Sequence, residues 1–147
     1  MIRKAKIDDL KTIVLFNKLM AYETEGLKLD EEILTGGVKA ALSDSSKANY
    51  WVYEIDGVVV GQAMVTKEWS DWKNGEIWWI QSVYVDKNYR NRKIFTSIYQ
   101  HLKDLVSLHK NIVGLRLYVE KDNINAQNTY KNLGLEETYY KLYEWIK

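Results

Sequence analysis

Residues 76–120 read as a strand, a basic turn, a helix and a second strand, and that order admits few folds. "EIWWIQSVYV" is rich in β-branched and aromatic residues up to Val85. Ile94, Ile98, Leu102, Leu105 and Val106 then fall at helical spacing, and "IVGLRLYVE" returns to a strand pattern. Two strands joined through a helix become parallel neighbours by a right-handed crossover. Lys87, Arg90, Arg92 and Lys93 fill the turn, and no acid occurs from there through Lys103. Such a turn brings backbone N–H groups and the positive end of a helix together, which suits an anion such as a phosphate. Phosphate-cradling turns usually carry glycine, because the backbone must come close to the ligand. This one has none. The cations therefore have two readings, an anion site or a solvated surface turn.

The flanking sequence builds the rest of one domain. Residues 2–7 alternate apolar and charged side chains, as a half-buried strand does. Asp8 or Asp9 can cap a helix with Leu10, Ile13, Val14, Phe16 and Met20 on one stripe, widened by Leu15 and Leu19. Asp30 opens a second helix with Ile33, Leu34, Val38, Ala41 and Leu42 inward. "YWVYEIDGVVVGQAMV" is a hairpin turning at Asp56-Gly57, a pair favoured in type I′ turns. The loop "EWSDWKNG" leads into the strand that ends at Val85. "DNINAQNTYKNLG" is a helix capped by Asp122 or Asn123 and closed by Gly134. "LEETYYKLYEWI" reads as a last strand, with Leu135, Tyr139 and Tyr143 among its apolar members. The order β-α-α-β-β-β-α-β-α-β defines an α/β (α+β) class. It implies a single domain over residues 1–147, with a mixed, mostly antiparallel sheet, a central parallel strand pair and flanking helices.

Charge and composition narrow the function. Lys and Arg number 21 against 20 Asp and Glu, so a net charge of +1 draws neither nucleic acid nor a membrane. The absence of Cys excludes disulfides and thiolate metal sites. His101 and His109 lack the i, i+4 spacing of a metal pair and read as surface helix residues, so no metal is expected. "MIRKAKIDDL" lacks the apolar core of a signal peptide and no apolar run approaches a membrane span, which makes a cytoplasmic location the expectation.

Over nearly all its length the chain resembles the GNAT N-acetyltransferases. Its element order is theirs, and "SVYVDKNYRNRKIF" is similar to their acetyl-CoA loop, Arg/Gln-x-x-Gly-x-Gly/Ala after a strand. Arg90 holds the first position of that pattern, Lys93 stands at its first Gly and Phe95 at its Gly/Ala. "VEKDNINAQNTYKNLGL" resembles the second signature, Asn-x-x-Ala-x-x-x-Tyr followed by Gly-Phe, on Asn123, Ala126, Tyr130 and Gly134-Leu135. The resemblance implies an acyltransferase that uses acetyl-CoA and no metal. It assigns the pantetheine arm to Val83, Tyr84 and Val85, with Asn123 and Ala126 beside it. It assigns the pyrophosphate to Arg90, Asn91, Arg92, Lys93, Ile94 and Phe95. Tyr130 becomes the acid that protonates the departing thiolate, a fair match of pKa values. The rival reading of Tyr130 is a helix residue packed on the sheet.

Gln81 aligns with the acidic base of other family members, and it can orient a water but cannot take a proton. Glu68, Asp71 and Glu76 could act through a water chain, or be solvated loop carboxylates. Trp69, Trp72, Trp78 and Trp79, with Asp71 and Glu76, would suit a cationic amine through aromatic faces and carboxylates. Strand alternation sends Trp78 and Trp79 to opposite faces, so at most one lines a site. Tyr22, Glu23 and Glu25 could form the other wall. The expected reaction is acetyl transfer from acetyl-CoA to a primary amine, either a small cationic amine or a peptide amino group. A homodimer is compatible with this. The rivals are a coenzyme A-binding module without turnover, and a nucleic-acid binder that stacks bases on its Trp and Tyr. The near-zero net charge argues against the latter.

Overall fold

Asp56 and Gly57 set the register of the sheet. In the computed structural model, which describes all 147 residues, both have left-handed backbones (φ 48° and 77°), the signature of a type I′ turn. That turn joins β2 (Asn49–Ile55) to β3 (Val58–Ser70), with Tyr50 opposite Met64 and Val52 opposite Gln62. A second tight turn returns the chain as β4 (Gly75–Val85), antiparallel to β3. β1 (Ile2–Lys4) flanks β2, and β5 (Ile112–Arg116) runs parallel to β4, giving the order β1-β2-β3-β4-β5.

Side-chain alternation divides the sheet into two faces. On one face Tyr50, Val52 and Met64 meet Ile13 and Val14 of α1 (Leu10–Glu25) and Val38 of α2 (Glu31–Ser43). Asp30 caps α2 by accepting the Ile33 N–H at 2.9 Å. The other face carries α3 (Ile94–Leu108), the crossover between β4 and β5. α3 starts close to the sheet because Gly61 has no side chain. A Cβ there would stand 2.8 Å from Ile94 Cγ2, so any larger residue would push the helix start away.

These elements form one compact unit, Met1–Leu117, and Tyr118–Lys147 forms a second. The second unit holds α4 (Ile124–Asn132), which ends in a Schellman turn. There Gly134 has φ 88°, and its N–H and that of Leu135 bond back to Lys131 and Tyr130 carbonyls.

Several expectations need correction. Residues 135–147 form no strand, and Tyr139, Tyr143 and Trp145 are 88, 87 and 86% exposed. Aromatic content mimics a strand pattern there, but a strand exists only where a neighbour completes its ladder. The first strand stops at Lys4, and a 3-10 turn (Ile7–Asp9) precedes α1. Of the loop "EWSDWKNG", Glu68, Trp69 and Ser70 extend β3 and Gly75 opens β4. Ile33 faces solvent (77% exposed) because it sits in the first turn of α2, one position before the inward stripe. His101 is half-buried rather than a free surface residue: its ring packs edge-on to Trp51 at 4.8 Å, with Nε2 buried. His109 is exposed, its Nδ1 2.8 Å from the Leu105 carbonyl.

Candidate active site

β4 outruns its parallel partner. Pairing with β5 ends at Trp79 opposite Arg116, and β4 continues through Val85 with that edge open. The Asp86 N–H bonds to the Val60 carbonyl at 2.9 Å, toward β3. Main-chain groups alternate along a strand, so those of Val85 and Val83 face the open edge. A β-bulge lies just before them. Gln81 opposes Met64 and Tyr84 opposes Gln62, so Ser82 and Val83 together face Ala63. Ser82 takes φ 50° to make that irregularity.

The turn after β4 answers the question of the missing glycine. Asn91 (φ 63°) and Lys93 (φ 57°, ψ 28°) both adopt left-handed backbones, the conformation for which glycine is the usual choice. Asn tolerates that region, whereas Lys bears a strain of about 1–2 kcal/mol. The glycine geometry is kept without the glycine. Lys93 is the N-cap of α3 and makes no side-chain cap, and the first bond of the helix runs from Ser97 N–H to the Lys93 carbonyl. The N–H groups of the first turn thus lack intrahelical acceptors, as at every helix start.

Arg90 is committed elsewhere. Its Nη2 donates to Glu23 Oε2 at 2.7 Å and its Nε to the outward Val85 carbonyl at 3.0 Å, while its guanidinium lies 5.4 Å over the Tyr84 ring. Glu23 also accepts the Tyr84 hydroxyl at 3.1 Å. Residues expected in a cofactor loop and in an acceptor wall therefore share one cluster. Burial, reinforced by the Glu23 carboxylate, pushes the Tyr84 phenol up, and Glu23 holds the Arg90 guanidinium above its ordinary value. The Tyr84 ring packs on Phe16 at 5.1 Å and is buried, and its main-chain groups face β3 like those of Asp86, so Tyr84 itself does not line the open edge. Ile94 is a core residue, half-buried Phe95 stands 6.4 Å from Tyr99, and Arg92 lies over Tyr89 at 5.1 Å.

On the α1 face of β3, β4 and β5 lie Gln81, Thr66, Trp79, Glu68 and Arg116. Gln81 Nε2 donates to Thr66 Oγ1 at 2.8 Å, and Arg116 Nη1 to Glu68 Oε2 at 2.9 Å. Trp79 and Gln81 are half-buried, and Tyr22 on α1 is 70% exposed. Trp78 faces the other side, its Nε1 3.4 Å from Glu76. Trp69, Asp71 and Trp72 gather at the β3–β4 turn, where Asp71 Oδ1 accepts the Trp72 N–H. Gln81 lies six positions after Gly75, about 20 Å at ~3.3 Å per strand residue, so the turn is remote from Gln81. Sequence reasoning missed the Arg116–Glu68 pair, although a cation inside the apolar run "IVGLRLYV" was a signal for it. Nothing in the sequence marked the Ser82 bulge.

In the second unit Asn123 Oδ1 accepts the Ala126 N–H at 3.2 Å, so the second signature opens as a helix cap. Tyr130, half-buried on α4, has its phenol pushed up by burial and is protonated at neutral pH. No group of three or more His, Asp or Glu side chains could hold a metal ion. No helix is long and apolar enough to cross a membrane.

Residues 9–135 match the model of the Acetyltransferase (GNAT) family. Among solved structures, a possible acetyltransferase from Clostridium difficile 630 is 52% identical, with TM-score 0.94 over 100% of this chain and 97% of that one. A predicted acetyltransferase with acetyl-CoA from Clostridium acetobutylicum shares the fold at 21% identity, TM-score 0.76, over 100% and 94%. An aminoglycoside acetyltransferase from an uncultured soil metagenomic sample, in complex with sisomicin, does so at 18% identity, TM-score 0.76, over 100% and 96%. Among curated proteins none matches.

Proposed function

The chain belongs to the GNAT family of acetyltransferases, and on that premise we propose that it transfers an acetyl group from acetyl-CoA to a primary amine. The observation that carries this reading is the open edge of β4, six residues beyond its last β5 partner, running into a glycine-free turn with glycine geometry. A pantetheine arm can add to that edge through the main-chain groups of Val83 and Val85, as an extended peptide adds to a sheet. The N–H groups at the start of α3, with Asn91, Arg92 and Lys93, suit a pyrophosphate. Acetyl-CoA supplies a thioester activated toward amines. Tyr130 holds its proton for the departing sulfur, which its burial favours.

Two neighbours are described by amines they act on or hold, glucosamine-6-phosphate and sisomicin. A small cationic amine or a peptide amino group is the corresponding acceptor for this chain. Trp79, Gln81, Tyr22 and Glu23 form the proposed acceptor wall, whereas Trp69, Asp71 and Trp72 at the β3–β4 turn would serve only a long acceptor. Gln81, bonded to Thr66, orients groups and takes no proton. Acetyl-CoA at a hundredfold excess over its Kd should stabilise the fold by about 2.7 kcal/mol. An unmoved melting temperature would sink the assignment. Coenzyme A release across an amine panel then separates an enzyme from a binding module. In that assay Tyr130→Phe should lose about 10²- to 10⁴-fold in kcat with acetyl-CoA affinity intact.

A further inference from the structure

Three polar side chains lie where an apolar core would be cheaper. Gln62 on β3 is fully buried, Asn17 on α1 and Tyr50 on β2 nearly so, and around them are Ile13, Val14 and Val52. They form a chain. Asn17 Nδ2 donates to the Tyr50 hydroxyl at 3.2 Å, Gln62 Nε2 donates to Asn17 Oδ1 at 3.3 Å, and the same Nε2 donates to the Ser82 carbonyl at 3.1 Å. Gln62 Oε1 has no partner, a cost that a Leu or Met at this position would not carry. Stability alone does not explain the arrangement. The chain ends on the one residue of β4 that leaves the regular ladder.

We propose that Gln62, backed by Asn17 and Tyr50, is a positioning residue that holds the Ser82 bulge and so fixes which main-chain groups of β4 face its open edge. At this break in the ladder Gln62 Nε2 supplies the Ser82 carbonyl with a donor from the core, and losing a buried bond of this kind is costly. The bulge also sets the phase of everything after it. Each residue inserted or removed in a strand exchanges the two sides. With the bulge in place, Val83 and Val85 point outward; with it ironed out, their groups turn. The proposal rests on the reading of that edge as the seat of the pantetheine arm, and extends it to buried residues that touch no ligand.

The test compares acetyl-CoA with adenosine 3′,5′-bisphosphate, which carries phosphates and no arm. By calorimetry, Gln62→Met should weaken acetyl-CoA at least tenfold and leave the nucleotide within twofold. Ser82→Gly, which takes a positive φ without help, should restore most of the acetyl-CoA affinity to Gln62→Met. Equal losses on both ligands, no loss on either, or failure of the rescue would overturn the proposal. A ligand-free measurement stands beside it: Gln62→Met should alter amide hydrogen exchange at Val83 and Val85 and leave Ile77 unmoved. If the wild type binds neither ligand, the acetyltransferase reading fails, and the exchange result alone decides the positioning claim. Unchanged exchange at Val83 and Val85 overturns it.

Discussion

Lys93 does two things that one pair of substitutions can separate. Its backbone holds the left-handed conformation that shapes the turn, and its exposed side chain adds a positive charge beside the start of α3. A left-handed non-glycine residue costs about 1–2 kcal/mol. Glycine removes that cost but loses about 0.5–1 kcal/mol through its freer unfolded chain. The difference predicts that Lys93→Gly stabilises the protein by about 0.5–1 kcal/mol, or about 1–4 °C in Tm for a chain of this size. Lys93→Ala keeps the Cβ and the strain, so its Tm should not move. For acetyl-CoA, loss of one solvent-exposed cation from a phosphate site costs up to about 1 kcal/mol, roughly fivefold in Kd. Both variants should show that loss, with a shallower dependence of Kd on salt than the wild type. Urea unfolding and calorimetry at two ionic strengths measure all of this. A glycine variant no more stable than the alanine variant refutes the strain argument. An alanine variant that binds acetyl-CoA like the wild type refutes the role of the charge.

Glu23→Gln removes the carboxylate that engages Arg90, so the freed guanidinium should tighten acetyl-CoA binding a few-fold at little cost in stability, because the ion pair is partly exposed. Unchanged binding would mean that Arg90 serves only α1. Asp9 is buried and doubly bonded by Arg3, which holds its carboxyl below the ordinary range. Its contribution is therefore present above the ordinary carboxylate value and lost as pH falls through the lowered one, and Asp9→Asn should cost about 2 kcal/mol at pH 7 but little in strong acid, read by urea unfolding. Burial raises the Tyr130 phenol, so an alkaline fall in kcat that disappears in Tyr130→Phe should lie above pH 10. A fall between pH 8 and 9 would assign it to another group. Trp72→Ala, at the 91% exposed tip of the β3–β4 turn, should leave the KM of a small amine unchanged.

Local chemistry was readable wherever one or two residues decide a conformation. Asp56-Gly57 made its turn, and Asp30, Asn123 and Gly134 closed or opened their helices, because each needs only its own side chain or its own lack of one. The readings that failed needed a partner distant in sequence. Residues 135–147 carry a strand's composition, yet composition does not supply the neighbour that makes a ladder. Arg90 looked like a free cation, because its true partner, Glu23, lies 67 residues earlier. The glycine-free turn falls between these cases. Position by position, Lys93 argues against a left-handed residue, but the turn is pinned on both sides: Val85 is in register with Gly61, and Ile94 is buried against that same glycine. With both ends fixed the chain has little choice at Lys93, and packing supplies the strain energy that a glycine would have made unnecessary. The missing small residue of this turn is thus on the neighbouring strand, where Gly61 lets α3 begin close enough to hold the turn in shape. Gly61→Ala should therefore disturb the turn more than any change within it. A Cβ there meets Ile94 at 2.8 Å and must push the helix start outward, so acetyl-CoA affinity should fall further in Gly61→Ala than in Lys93→Ala. Equal affinities in the two variants would mean that the turn holds its own shape.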